Sequence, residues 1–242
     1  MKYILYDGSL AGLFTVVFDF YGEIFDIKIE IEEDQLDFLE KIFIKTDMAK
    51  AKRVEEAIEK NISKDFLRGI RANFKSKDIQ KDDLIARMIR LSFHYGKDFL
   101  ASSNKYPTRF RENIKNYGSE LHAYKGLTRF REIQEGFLFA EIEAENNVLE
   151  DLTAHFLRRM PGEKFVIFDK NRNKAALSIE GDVKEVDVID LNIEESDEEV
   201  FFRKLWVKFY DTISIKEREN KKLMISNMPK KYWKYLPEKN RK

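Results

Sequence analysis

The stretch YKGLTRFREIQEGFLFAEIEAENNVLEDLTAHFLRRM, residues 124–160, holds the pattern that decides the fold. In its first part, LTRFREI and FLFAEIEA alternate apolar and polar residues on either side of the turn signal QEG, which is typical of a β-hairpin. In its second part, residues 148–160 carry apolar side chains at helical spacing, and Pro161 and Gly162 end the pattern. The stretch therefore predicts two paired strands followed by a helix.

The pattern continues beyond residue 160. KFVIFD and KAALSIEG flank the turn KNRN and predict a second hairpin, and VKEVDVIDL predicts one more strand. The order ββαβββ implies a mainly antiparallel sheet and an α+β fold. An acidic segment then opens a helix that runs to about residue 210. Its apolar residues predict a buried stripe, which comprises Phe201, Phe202, Leu205, Trp206 and Phe209.

The N-terminal part of the chain shows a different sequence pattern. KYILY predicts a short strand, Asp7 and Gly8 a turn, and Ser9 the N-cap of a buried helix. Residues 27–31 alternate like a strand, the segment FIKTD indicates another, and residues 47–118 are mostly helical. We predict a mostly helical part with a short opening strand, residues 1–125, and an α+β part with a basic C-terminal tail, residues 126–242. The sequence does not define this border sharply, and the alternative is that both parts form one domain.

Composition excludes several classes of protein. The 242 residues include 44 basic and 44 acidic side chains, so the chain is not a uniformly basic nucleic-acid coat. There is no cysteine, which excludes disulfides, iron–sulfur clusters and thiol nucleophiles. Glycine-rich phosphate and dinucleotide motifs are missing. We predict no metal and no cofactor.

The start of the chain carries no targeting signal that we recognise. The apolar run after Met1 is too short for a signal peptide. The longest apolar stretch, around residues 10–20, is far shorter than a membrane span of roughly 20 residues. We expect a cytoplasmic protein with no membrane partner.

One candidate binding surface lies in the first predicted hairpin. Arg129 and Arg131 are two apart on a predicted strand, so they share a face, and Lys125 precedes them. Arginines aligned in this way can bind phosphates bidentately. The alternative is a solvated strand face whose arginines pair with Glu141 or Glu143 across the hairpin.

A catalytic candidate lies in the helix that follows. Asp151 and His155 are four residues apart, so they can touch on one helical face, as in a carboxylate–histidine general base. Such pairs are also common on surfaces, and the helix offers no second metal ligand. The catalytic residues are therefore unknown, with His155 and Asp151 as weak candidates.

The basic tail is the second candidate surface. Lys230, Lys231 and Lys234 interleave with Tyr232, Trp233 and Tyr235. Lysines bind phosphates by releasing counterions, and exposed rings stack on unpaired bases. The alternative is that the rings hold the tail on the core. In an extended tail adjacent side chains point to opposite sides, so we predict that Trp233 is buried and Tyr232 or Tyr235 exposed.

Four segments together resemble a known family: YDGSLAGLFTVVFDFY, residues 122–161 (HAYKGLTRFREIQEGFLFAEIEAENNVLEDLTAHFLRRMP), KFVIFDKNRNKAALSIEG, and the segment from LWVKFYDTISIKE to MPKKYWKYLPE. They resemble a bacterial family of DNA metabolism or DNA repair proteins that contains a domain of unknown function. The resemblance spans nearly the full chain, with residues 23–105 matching only loosely.

The resemblance implies a process and partners but no catalytic residues. Members of the family are typically encoded beside a radical SAM protein of DNA modification or repair, and in some bacteria the domain is fused ahead of a uracil-DNA glycosylase. The sequence ends shortly after LPE, so we expect no glycosylase part here. The lack of cysteine excludes a radical SAM cluster in this chain.

Three functions remain open from the sequence. The first is a DNA repair accessory protein that binds DNA and a partner repair enzyme, either the radical SAM protein or the glycosylase. Its predicted nucleic-acid-binding residues are Lys125, Arg129, Arg131, Lys230, Lys231, Tyr232 and Lys234. The second is a DNA-processing enzyme that uses His155 and nearby carboxylates. The third is a protein–protein adaptor without DNA contact, which a large exposed apolar patch together with tail aromatics buried in the core would favour.

Overall fold

The computed structural model describes residues 2–31, 41–133, 136–189, 193, 196–213 and 220–240. The chain divides into two compact units, residues 1–118 and 119–242. Helices and strands occur in both units, which confirms the predicted α+β class. The division and the predicted border near residue 125 both fall within one helix, Lys105–Leu127.

The first unit contains a three-stranded sheet and a set of helices. Strands β1 (Lys2–Tyr6), β2 (Ile27–Ile31) and β3 (Lys41–Phe43) lie in the order β2-β1-β3, and both pairings are parallel. The predicted strands at the N-terminus and at residues 27–31 are confirmed. The helices are α1 (Leu10–Asp19), α2 (Met48–Asn61), α3 (Lys64–Phe74), α4 (Lys81–Tyr95), a 3-10 helix (Lys97–Ala101) and α5 (Lys105–Leu127).

Side-chain caps explain where the first helices begin. The Ser9 hydroxyl accepts a hydrogen bond from the Gly12 N–H at 2.9 Å, which confirms the predicted N-cap of α1. The Asp47 carboxylate accepts from the N–H groups of Ala49 and Lys50 at the start of α2. Apolar side chains of α2, α3 and α4 contribute to the core of this unit, where Ile58, Ile70 and Ile85 are fully buried.

The second unit is built on a five-stranded sheet. Its elements are β4 (Arg131–Ile133), β5 (Phe137–Ile142), α6 (Leu149–Arg159), β6 (Phe165–Asp169), β7 (Lys174–Ile179) and β8 (Asp182–Asp187). The order is β4-β5-β6-β7-β8; β5 and β6 are parallel, and the other pairings are antiparallel. The predicted order ββαβββ is confirmed. The central turn of the first hairpin, residues 134–135, lies outside the described residues.

Helix α6 joins the two parallel strands. Leu149, Leu152 and Phe156 are buried and lie on one face of the helix. The Phe156 ring contacts the Phe130 ring at 4.8 Å between centroids. His155 lies at the edge of this packed face, beside Phe156, and is half-buried.

The helix after the sheet, α7 (Asp197–Ile213), confirms the predicted helix but not its burial. The prediction of a buried stripe is wrong, because Phe201, Phe202, Leu205, Trp206 and Phe209 are between 43 and 59 % exposed. Polar groups hold the helix instead. The Glu199 carboxylate accepts from the Glu132 N–H at 2.9 Å, and the Trp206 indole donates to Glu238 at 3.0 Å.

The described part of the tail is largely helical, so the assumption of an extended tail is wrong. Helix α8 (Lys221–Asn227) begins at Asn220, whose side chain accepts from the Leu223 N–H at 2.9 Å. A 3-10 helix, Lys230–Tyr235, follows Pro229. Residues 214–219 lie outside the described residues.

Candidate nucleic-acid interface

A basic patch lies where the ends of two helices of the second unit meet. Lys125 is in the last turn of α5, and His155, Arg158 and Arg159 are in α6. Arg158 and Arg159 follow His155 by three and four positions, so the three side chains share one side of the helix. Both arginines are exposed. We call these four residues the basic patch.

The basic patch has an unbalanced positive charge. Within the described residues, neither Lys125 nor Arg158 nor Arg159 forms an ion pair. Cations in the last turn of a helix also stabilise the helix dipole. That role leaves the donors of Arg158 and Arg159 available to an anion, because both side chains are exposed. The patch can therefore accept phosphate groups without first breaking an ion pair.

The pKa of His155 depends on the charge of the basic patch. Its pKa is lowered by burial first, and then by Lys125, Arg159 and Arg158. Its Nε2 atom is buried and has no hydrogen-bond partner within the described part of the chain. Burial and the three cations therefore disfavour the charged form of the imidazole.

The surroundings of His155 bear on its predicted catalytic role. The charges that shift the pKa of His155 are all cationic, and Asp151 is not among them. Among residues 2–31, 41–133, 136–189, 193, 196–213 and 220–240, no cluster of three or more His, Cys, Asp or Glu side chains could hold a metal ion. A catalytic role for His155 and Asp151 stays a prediction.

The two predicted arginines come together, although not on one strand. Arg129 precedes β4, because α5 extends to Leu127, so its predicted place on a strand beside Arg131 is wrong. Both arginines line a small cleft of about 150 Å³. Its other charged lining residues are Arg203, Lys234, Glu141 and Glu199.

Ion pairs balance the charges around this cleft. Arg129 donates to Glu238 at 3.0 Å, and Arg203 lies 3.8 Å from Glu199. Burial alone would raise the pKa of Glu238, but hydrogen bonds from its own backbone N–H and from Trp206, together with the Arg129 charge, lower it. The cleft is therefore a network that joins the tail to β4 and α7, and its arginines are less available to an anion than the basic patch.

The predicted tail residues are mostly engaged with the unit itself. Lys231 pairs with Glu120 at 3.1 Å and with Glu145 at 2.8 Å; hydrogen bonds from its ammonium to both carboxylates raise its pKa against the effect of burial. Lys234 pairs with Glu143. Lys230 is exposed, with its Nζ atom 6.0 Å from the centroid of the Trp233 ring.

The predicted faces of the tail are reversed. Tyr232 is only 5 % exposed and packs edge-to-face on Tyr124 at 5.0 Å, whereas Trp233 is half-buried. The prediction assumed an extended chain, but residues 230–235 form a 3-10 helix, in which adjacent side chains do not alternate. A buried Tyr232 ring offers no face for stacking on a base.

Sequence reasoning identified Lys125 and His155 but did not include Arg158 and Arg159 among the predicted binding residues. The available signal was their position three and four residues after His155. The missing information was tertiary: the end of α5 brings Lys125 to the same place.

Comparison with known proteins places the chain in a family without naming an activity. None of the helices in the described ranges is long and apolar enough to cross a membrane. No curated protein matches the chain. A family described as a domain of unknown function, DUF4130, matches residues 79–238, which is more than half of the sequence. The chain therefore belongs to the DUF4130 family.

Proposed function

We propose that this chain is an accessory protein of DNA repair or DNA metabolism that binds nucleic acid through the basic patch. The observation that carries the proposal is the group of three cations around His155, none of which is ion-paired within the described residues. The family resemblance supplies DNA as the ligand. Phosphates are the most abundant anions that nucleic acid offers to a protein surface, and lysine and arginine bind them with release of counterions.

The patch supports binding of the backbone more than recognition of a base. Two exposed arginines and a half-buried lysine at the ends of two helices can follow a line of phosphates, which positions a duplex or a single strand without reading its sequence. Lys230 and the arginines of the cleft could add to this surface. Tyr232 does not, because its ring is buried.

A titration with DNA tests the proposal. We expect labelled single-stranded or double-stranded DNA to bind at low salt, with an affinity that falls steeply as salt is added. The triple variant Lys125→Gln/Arg158→Gln/Arg159→Gln should flatten the dependence of log affinity on log salt by up to about 2.7 for duplex DNA, at about 0.9 for each lost phosphate contact. Fluorescence anisotropy at several salt concentrations measures both quantities.

The control variant also loses three positive charges, but outside the basic patch. Lys184, Lys204 and Lys222 are exposed lysines of β8, α7 and α8. Replacing all three with glutamine should change the slope much less than the patch variant does. Equal slopes for the two triple variants, or no binding by the unmodified protein at low salt, would show that the patch does not bind DNA.

We further propose that α7 binds the partner repair enzyme that the resemblance implies. Monomeric proteins rarely expose contiguous apolar faces of this kind, and such faces mark interaction sites. Five large apolar side chains of this helix are at least 43 % exposed, and three of them are phenylalanines. Aromatic residues are the common anchors of protein interfaces.

The expected result is loss of partner binding by a variant that still folds. Phe202→Asp/Phe209→Asp should weaken binding to the radical SAM repair protein by about tenfold or more, since two anchors are lost. Lys204→Gln, on the same helix, is the matched control. Isothermal titration of the purified pair measures the affinity. Unchanged affinity in the aspartate variant would exclude α7 as the docking face, whereas partner binding without any DNA binding would favour the adaptor hypothesis.

A further inference from the structure

A second basic site lies in the first unit, within residues 1–118. A cavity of about 450 Å³ opens between β2 and the first turns of α4 and α5, and this volume is in the range of small-molecule sites. Its lining contains four cations and a single carboxylate. The lining residues are Lys28, Gln80, Asp83, Leu84, Arg87, Lys105, Tyr106 and Arg109.

Two of the four cations are engaged by the protein. Lys28 donates to Asp83 at 2.6 Å, and the other carboxylate oxygen of Asp83 accepts from the Ile29 N–H at 3.0 Å. Arg109 is paired with Asp78, which lies outside the cavity lining. The single carboxylate of the cavity is therefore already used by Lys28 and β2.

The other two cations, Arg87 and Lys105, have no carboxylate partner within the described residues. The Nε–H of Arg87 is buried and donates to no acceptor there. Buried donors without an acceptor are costly and uncommon. An anion in this cavity would satisfy the Arg87 guanidinium and the Lys105 ammonium together.

An aromatic ring lies beside these two cations. The centroid of the Tyr106 ring is 6.0 Å from the guanidinium carbon of Arg87 and 5.0 Å from Nζ of Lys105. The ring of Phe25, which is 46 % exposed, lies 6.3 Å from that of Tyr106. Paired aromatic rings next to phosphate-binding cations suit a planar heterocycle that carries a phosphate.

We propose that this cavity binds a nucleoside monophosphate, either free or as the phosphorylated end of a strand. Arg87 and Lys105 bind the phosphate, and Tyr106 with Phe25 contacts the base. The inference does not rest on the function proposed above, because it uses other residues and the other unit.

Binding of small ligands to the full chain tests the site. We expect saturable binding of dAMP, weaker binding of inorganic phosphate, and no binding of deoxyadenosine, as measured by isothermal titration. Arg87→Gln and Lys105→Gln should each weaken dAMP binding by about tenfold or more, because each removes a charge-assisted hydrogen bond. Lys105 is exposed, so its variant keeps the test valid even where Arg87→Gln affects folding.

Two further variants test the contribution of the Tyr106 ring separately from that of the two cations. Tyr106→Ala should bind dAMP no more tightly than phosphate, whereas Tyr106→Phe should keep the preference for dAMP. Arg68→Gln, which removes an exposed arginine of the same unit from outside the cavity, should bind dAMP normally.

The source of the nucleotide is decided by competition. A short oligonucleotide with a terminal phosphate, tested against the same strand without it, should displace dAMP if the site takes strand ends. This arm uses the patch-neutralised triple variant, so that binding at the basic patch does not contribute. Displacement assigns the site to strand ends, and dAMP binding without displacement assigns it to free nucleotides. The absence of dAMP binding at millimolar concentration, or equal affinity of the unmodified and Lys105→Gln proteins, would overturn the inference.

Discussion

Replacing Glu120 with alanine should lower the free energy of unfolding of the second unit by about 2–5 kcal/mol, because each buried hydrogen-bond donor that loses this acceptor costs about 1–3 kcal/mol. The side chain is almost fully buried. Its carboxylate accepts hydrogen bonds from the N–H groups of Glu145 and Asn146, at 3.1 and 2.8 Å, and from the Asn146 side chain at 2.7 Å. It also accepts from the Lys231 ammonium at 3.1 Å.

Most of that loss should come from the backbone donors. Lys231 is 45 % exposed, so solvent screens its share of the interaction. The backbone N–H and the side-chain amide of Asn146, which is 3 % exposed, would instead lose an acceptor in a place with little access to water. Glu120 thus fixes both the loop before α6 and the 3-10 helix of the tail.

Chemical denaturation measures this effect in the right unit. Both tryptophans of the chain, Trp206 and Trp233, lie in residues 119–242, so their fluorescence reports unfolding of the second unit alone. Glu163→Ala, at an exposed position of the same unit, should change stability by no more than about 0.5 kcal/mol. A Glu120→Ala variant as stable as this control would mean that Glu120 does not anchor the tail.

A comparably large loss is expected for Tyr232→Ala. Truncation of a large aromatic side chain in a core costs about 3–5 kcal/mol, and Tyr232 is buried against Tyr124. Trp233→Ala should cost less, because the indole is half-buried and its N–H donates to the Met228 carbonyl at the edge of the unit. Tyr232→Phe, which keeps the ring, should retain most of the stability.

Urea unfolding followed by circular dichroism distinguishes these variants, since Trp233→Ala changes the fluorescence itself. The decisive quantity is the order of the two alanine variants. A larger loss for Trp233→Ala than for Tyr232→Ala would mean that the tryptophan, and not the tyrosine, holds the tail on the unit.

The sequence predicted the parts of the fold that depend on local pattern. Alternation of apolar and polar residues identified β5 to β8, and the Ser9 cap marked the start of α1. These signals arise from neighbours in the chain, so they can be recognised without knowledge of the fold.

The failures have a common physical cause. The apolar stripe of α7 has the same helical spacing whether it faces a core or a partner, so the pattern predicted burial although the residues are exposed. In the tail, the ion pair of Lys231 with Glu120 joins residues 111 positions apart. Local sequence contains no sign of such a contact.

The candidate site, like the fold, was only partly predictable from the sequence. Residue type and helical spacing were enough to single out His155. Residue type and the alternating pattern singled out Arg129 and Arg131. Which cations lack a carboxylate partner could be known only from the structure, where Arg129 pairs with Glu238 and Lys125 does not pair within the described residues. That distinction moves the proposed interface from the hairpin to the ends of α5 and α6.

The pKa of His155, with and without DNA, tests the proposed interface most directly. In the free protein it should lie below the ordinary value for histidine, because burial and three cations disfavour the charged imidazole. Phosphates bound to Lys125, Arg158 and Arg159 would offset those charges, so the pKa should rise in the complex. A pH titration of the histidine resonances by NMR, with the signal assigned through His155→Gln, measures both values. A clear upward shift on saturation with DNA is the predicted result; DNA binding that leaves the pKa of His155 unchanged would contradict the account.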